Sequence, residues 1–221
     1  MKLVVVSAGL SVPSSTRLLA DRLAAATAGR APGPVDLRVV ELRDLAVEIA
    51  HNFTNGFPGR ALSAAIDDVT SADGLIVVTP VFSASYSGLF KSFFDVLDKD
   101  ALAGKPVLIG ATGGTGRHSL VLEHALRPLF AYLRAVVVPT GVYAASEDWG
   151  AEGLAERVER AGGELAGLMT ALAGSSVPGP TDPSVAPPSP GAAAVPAQPS
   201  SGRVDGFHVV PFAEQLAALR S

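Results

Sequence analysis

The sequence predicts an α/β protein: a doubly wound parallel sheet of five strands with helices on both faces, a three-layer sandwich. Three observations carry this. Leu3–Val6 and residues 74–79 are unbroken apolar, β-branched runs with no polar alternation, as in strands buried on both faces. Such runs alternate with stretches of helical period as far as Ala173. Several runs end in loops of Gly, Ser, Thr and Pro, beyond the carboxyl ends of the strands, where open α/β sheets bind ligands.

Taken in order, Leu3–Val6 is strand one, and Thr16–Ala28 is a helix with Leu18, Leu19 and Leu23 on one side. Val35–Glu41 is strand two, entered through Pro32-Gly33-Pro34. Residues 42–58 read as an irregular connection, with turn chemistry at Asn55-Gly56 and Pro58. Arg60–Ser71 is helix two, 74–79 strand three, and 89–98 helix three after a hydroxyl-rich loop at 80–88. Gly104-Lys105-Pro106 turns into strand four, Val107–Ala111, and ATGGTG at 111–116 forms a glycine-rich loop. Helix four spans 118–133, where Pro128 predicts a kink. Arg134–Pro139 is strand five and Glu152–Ala173 the last helix. This alternation, with these loops, fits the flavodoxin-like strand order 2-1-3-4-5.

The folded domain is therefore 1–173. Segment 174–203 holds eight of the chain's 17 prolines among Ala, Ser and Gly, so it reads as an extended linker. Residues 204–221 regain apolar character, and the Ala/Leu-rich run from Glu214 reads as a helix, either docked or frayed.

Hydrophobic content of 48% against 17% charged residues supplies a core and excludes global disorder. A net charge of −4 argues against nucleic-acid or anionic-membrane partners. With no cysteine, disulfides, thiolate metal sites, iron–sulfur clusters and cysteine nucleophiles are excluded. The N-terminal apolar run is too short for a signal peptide, and no run is long enough to span a membrane. A cytoplasmic protein is expected, which makes the sequon Asn52-Phe53-Thr54 a chance match.

Three loops carry the chemistry. In SAGLSVPSSTR at 7–17, Gly9 permits close backbone approach, and Ser11, Ser14, Ser15 and Thr16 offer hydroxyls and amides where helix one begins. A helix N-terminus of this kind binds phosphate, and the plainer reading is a helix capped by Ser14 or Ser15. No GxGxxG accompanies strand one, which argues against a Rossmann dinucleotide site. The loops at 80–88 and 111–116 converge on the same crevice in this strand order. Amides of Gly113, Gly114 and Thr115 suit the pyrimidine edge of a flavin, and the plainer reading of ATGGTG is a simple strand-to-helix turn. None of the three loops offers a strong acid, base or thiol, so no catalytic side chain is assigned. That suits a cofactor with its own reactivity.

The block GLIVVTPVFSASYSGLFKSFFDVL at 74–97 resembles the NADPH-dependent FMN reductase family, above all the reductase components of two-component monooxygenases such as alkanesulfonate systems. GKPVLIGATGGTGRHSLVLEHALRPLFAYLRA at 104–135 is similar to that family's next block, and the likeness runs from strand one to about residue 145. The resemblance implies FMN and NADPH, with NADH as the alternative; no HxxxH or paired His–carboxylate spacing supports a metal site. It puts the phosphate loop on Gly9, Ser11 and Ser14–Thr16, and the isoalloxazine and ribityl loop on Pro80, Val81, Phe82 and Ser83, with Ser85 and Tyr86 following. The flavin-edge loop falls on Thr112–Thr115. It further implies a homodimer or tetramer, and reduced FMN passed to a monooxygenase, plausibly luciferase-like. A tight FMN-containing quinone or azo reductase and a non-enzymatic electron carrier are the alternatives. Two departures stand out. The family's GSxR is AGLS at 8–11, so its arginine is lost, and His124 stands where alkanesulfonate-type reductases carry a tyrosine associated with a helix bulge at a subunit interface.

Other residues have plainer readings. Lys91 suits a helix surface, and Asp95, Asp98 and Asp100 a solvated helix end rather than a metal site. Arg117 and His118 lie where a dinucleotide 2′-phosphate would be met, although solvated charges there need no explanation. Tyr86 packs in the core or an interface, or touches flavin. Trp149 is expected near the crevice rim. GxSxG is absent, so a serine hydrolase is set aside.

Overall fold

A computed structural model describes residues 1–174; the expected linker beyond that point and the segment 204–221 lie outside the described residues. The elements run β1 (Lys2–Ser7), α1 (Ser15–Arg30), β2 (Asp36–Glu41), α2 (Leu42–Asn55), α3 (Arg60–Thr70), β3 (Gly74–Phe82) and β4 (Ser85–Tyr86). Then come α4 (Gly88–Asp95), β5 (Pro106–Gly113), a π-helical turn (Leu122–Leu126), α5 (Arg127–Tyr132), β6 (Val136–Val137), β7 (Val142–Ala145) and α6 (Glu152–Gly174). Among the described residues no helix is long and apolar enough to cross a membrane.

The sheet order is β2-β1-β3-β5-β6, with β7 also on β5, all of it parallel. This is the flavodoxin-like arrangement the sequence predicts, its fifth strand split in two. Side chains alternate across each strand, so one sheet makes two cores. Val4, Val6, Leu75, Val77, Val107 and Ile109 face the side that packs on α2, α3, α4 and α5. Leu3, Val5, Ile76, Val78 and Leu108 face α1 and α6. The first core is anchored by buried Phe90, Phe93, Phe94 and Phe130, with Phe94 edge-on to Phe130 at 4.9 Å and 83°.

The structure corrects four expectations. Residues 42–55 form a helix, α2, and not an irregular connection: Leu42, Leu45 and Ile49 recur at helical spacing and are buried. Asn55-Gly56 is punctuation as expected, but it ends that helix, with Gly56 in the left-handed region at φ 79°. The expected helix over 118–133 runs unbroken only from Val121 to Tyr132, after a 3-10 turn (Gly116–His118), and its middle, Leu122–Leu126, is π-helical and holds His124 before passing into α5. Pro128 falls in the first turn of α5, where a missing N–H costs no intrahelical bond. Strand five does not run over 134–139. Only Val136–Val137 pair there, because Pro139 has no N–H and Thr140 turns its N–H and hydroxyl to Glu164, at 2.8 and 2.7 Å. Pairing resumes further along β5 as Val142–Ala145, a strand not expected from the sequence.

The fourth correction concerns 80–88, which is only partly a loop. β3 continues to Phe82 and folds back on β4, pairing Val81 with Tyr86 and Phe82 with Ser85. The two-residue tip, Ser83 and Ala84, has φ of 49° and 66°. Both positive values match the turn that suits hairpin twist, which glycine and asparagine normally supply. Here residues with a Cβ are held in it, at a cost of about 1–2 kcal/mol each. Thr79 fixes the hairpin's base: its hydroxyl accepts from the Ser87 N–H (3.0 Å) and donates to the Pro80 carbonyl (3.0 Å).

Candidate flavin site

A cleft of about 430 Å³ opens beyond the carboxyl ends of β1, β3 and β5. The first loop contributes Ser11, Ser14, Ser15 and Thr16; β3 contributes Pro80, Val81 and Phe82; β5 and its end contribute Thr112, Gly113 and Gly114. Residues from three separate loops thus meet at one place, as expected. Leu10 and Ser146 also line it and were not expected. Ser146 directly follows β7, so overlooking that strand hid it.

The local causes are readable. Ser14 is the N-cap of α1, its hydroxyl accepting from the Arg17 N–H at 3.2 Å. The first-turn amides of Ser15 and Thr16 have no intrahelical acceptor, and no acidic residue occupies that turn. The Thr16 and Thr112 hydroxyls bond each other at 2.8 Å, both buried, and so tie the α1 start to the end of β5. Gly9 does not line the cleft but stands behind it: a Cβ there would meet Ser14 Oγ at 2.1 Å and displace the cap.

Ser83, Ser85, Tyr86 and Thr115 lie outside this cleft. Ser83 is at the hairpin tip and Ser85 lines a neighbouring cleft. Tyr86 packs against Phe90, with ring centroids 6.0 Å apart. Thr115 Oγ1 accepts from the Arg117 N–H (3.0 Å), and its carbonyl accepts from Tyr143 Oη (2.8 Å). Tyr143 went unremarked in the sequence, yet it shapes the site: a Cβ on Gly113 would lie 2.1 Å from Tyr143 Oη. Burial raises the Tyr143 pKa above its ordinary value, helped by the negative charges of Glu147 and Asp148, so the phenol stays a donor. Trp149 does not reach the cleft; it stacks under the Arg22 guanidinium at 5.1 Å. Lys91 pairs with Asp95 along α4.

Among the described residues no charged or titratable side chain lines the cleft. Nearby arginines are engaged elsewhere: Arg17 by Asp21 and Glu41, and Arg43 by Glu41, Asp44 and the Ser11 carbonyl (3.3 Å). Hydrogen-bonded Asp21 raises the pKa of Arg17, against burial, which fixes its charge on that partner. The cleft can bind and orient through hydroxyls, amides and a helix N-terminus, but it supplies no acid or base. That donor set, with backbone exposed at Gly113 and Gly114, fits FMN.

Fold and cleft together define a flavin-binding α/β protein of flavodoxin-like topology. The family described as NADPH-dependent FMN reductase matches residues 1–150, and the chain belongs to that family of oxidoreductases, which use FMN with NADPH or NADH. It is 44% identical to an FMN reductase (NADPH) of Pseudomonas aeruginosa PAO1 over 148 residues, 67% of this chain and 78% of the relative. It is 40% identical over 149 residues to the NADH-dependent FMN reductase SfnF of Pseudomonas fluorescens Pf0-1, 67% of this chain and 79% of that one. A solved oxidoreductase from Corynebacterium diphtheriae superposes with a TM-score of 0.75 at 47% identity, covering 77% of this chain and 97% of the other.

Proposed function

We propose that the chain is a cytoplasmic NAD(P)H-dependent FMN reductase that treats FMN as an exchanging substrate and supplies the reduced form to a separate monooxygenase. The observation that carries this is the phosphate end of the cleft: Ser11, Ser14, Ser15 and Thr16 gather there with the α1 N-terminus, and among the described residues no cation does. Hydroxyls and amides bind a phosphate more weakly than an arginine fork does, so the group is held but released. The monooxygenase partner rests on the resemblance of residues 74–97 and 104–135 to reductase components of such systems.

In this reading Ser11 and Ser14–Thr16 hold the phosphate of FMN, and Pro80–Phe82 lie along its ring system. The backbone at Gly113 and Gly114 meets its pyrimidine edge, with Thr115 and Tyr143 behind. When bound, FMN supplies the redox chemistry between reduced nicotinamide and acceptor. The protein's share is position and electrostatics: Tyr143 holds the Thr115 carbonyl, Thr16 and Thr112 hold two loops in register, and Phe82 excludes water from one wall. The exposed apolar rim at Leu10 and Phe82, 52% and 48% exposed, suits cover by a second copy in a homodimer or tetramer.

Anaerobic NADPH oxidation by purified protein, titrated with free FMN, tests the reading. Saturable turnover by protein isolated nearly colourless is expected. Yellow protein that oxidises NADPH only with an added quinone or azo dye would show a tight-flavin reductase instead. No oxidation with any acceptor would leave an electron carrier.

A further inference from the structure

A second cleft, of about 310 Å³, adjoins the first across the β3–β4 hairpin, lined among others by Ala84, Ser85, Arg117, His118, Leu120 and His124. The two share elements: Phe82 lines the first and Ala84 and Ser85 the second, while Gly114 lines the first and Arg117 the second. We propose that this second cleft takes the 2′-phosphate of NADPH and so makes the chain prefer NADPH over NADH. The proposal rests on the reductase reading above and names the half of the reaction that reading leaves open, since relatives divide between NADPH and NADH.

The argument is one of charge and donors. Arg117 makes no ion pair among the described residues, whereas neighbouring Arg127 pairs with Glu123 and Arg134 with Asp100. Among the described residues no carboxylate lines the cleft. Glu123, adjacent in sequence to His124, is occupied by Arg127, whose hydrogen bond lowers its pKa. An unneutralised guanidinium, two imidazoles and the Ser85 hydroxyl therefore surround one space, with exposed Leu120 as its apolar wall. A phosphate monoester brings nearly two negative charges and three acceptor oxygens, and an arginine fork matches it bidentately. The 2′-hydroxyl of NADH has neither property.

The backbone is set to present these groups. The Arg117 N–H is held by Thr115 Oγ1 at 3.0 Å, and Gly116 N–H by Glu147 Oε1 at 3.2 Å, so the segment carrying Arg117 and His118 is tied at its start. Across the cleft, the positive-φ turn at Ser83 and Ala84 delivers Ser85 from the paired strand β4.

Steady-state kinetics of Arg117→Ala and Arg117→Lys at saturating FMN, with each nucleotide, test the assignment. The KM for NADPH should rise about 10- to 100-fold in Arg117→Ala, and less in Arg117→Lys, while the KM for NADH moves by no more than about twofold. Arg117 is exposed and makes no ion pair among the described residues, so thermal melting should be unchanged. Calorimetry gives a readout apart from turnover: the unmutated protein should bind 2′,5′-ADP at least about 10-fold tighter than 5′-AMP, and Arg117→Ala should lose that advantage. Equal KM increases for both nucleotides would place Arg117 on the shared pyrophosphate and overturn the proposal. So would no change in either KM, or equal affinity for the two mononucleotides. If the unmutated protein oxidises neither nucleotide yet shows the 2′,5′-ADP preference, the reductase reading fails and the phosphate site stands.

Discussion

Two neighbouring glycines should behave as opposites when replaced. A Cβ on Gly113 would sit 2.1 Å from Tyr143 Oη and 3.1 Å from Cζ, whereas a Cβ on Gly114 meets nothing within 4 Å. Tyr143 is only 6% exposed and packs in the larger core, so it has little room to yield. To reach ordinary contact its hydroxyl must retreat by more than ~1 Å, which breaks the bond to the Thr115 carbonyl. Overpacking of about 1–3 kcal/mol and a lost hydrogen bond of about 1 kcal/mol put Gly113→Ala at about 2–4 kcal/mol of destabilisation. For a domain of this size that lowers Tm by roughly 5–15 °C. Gly114→Val should stay within about 0.5 kcal/mol of the unmutated protein in stability, yet weaken FMN binding at least about 10-fold by filling the cleft. Differential scanning fluorimetry and quenching of FMN fluorescence read the two effects separately. An unshifted melt for Gly113→Ala would refute the packing argument. Ordinary FMN affinity in a folded Gly114→Val would refute the placement of the flavin.

Two further predictions follow from the same loops. Thr16→Val or Thr112→Val alone strands one buried hydroxyl and should cost about 1–3 kcal/mol in urea unfolding, while the double variant should be nearly as stable as the unmutated protein; additive losses would show that the 2.8 Å hydroxyl pair is not a coupled unit. Because burial raises the Tyr143 pKa, the phenol ionises more easily in the unfolded chain. Its contribution is thus intact below pH about 10 and is lost as pH climbs through the folded-state value. Tyr143→Phe should flatten that alkaline decline in Tm, and an identical alkaline slope would contradict the assignment.

The sequence by itself determined the layers, the parallel sheet and its order, a helix cap at Ser14 or Ser15 and, with the family resemblance, ten of the residues that line the cleft. Those features are local: a strand buried on both faces must be a continuous apolar run, and a phosphate-ready helix start must carry hydroxyls and free amides. Helix α2 was legible as well, in the spacing of Leu42, Leu45 and Ile49, but the turn signal at Asn55-Gly56 read as a loop and not as the end of a helix. Tertiary structure decided the rest. Ser83-Ala84 carries no turn signature, and only pairing between Val81 and Tyr86 and between Phe82 and Ser85 holds two Cβ-bearing residues at positive φ. The split of the last strand depends on Glu164 claiming Thr140 from a distant helix. Tyr143 reaches Gly113 and Thr115 only because β7 lies beside β5. Nor does any local pattern show that Arg117 has no acidic partner among the described residues, since that depends on where their carboxylates end up once the chain has folded.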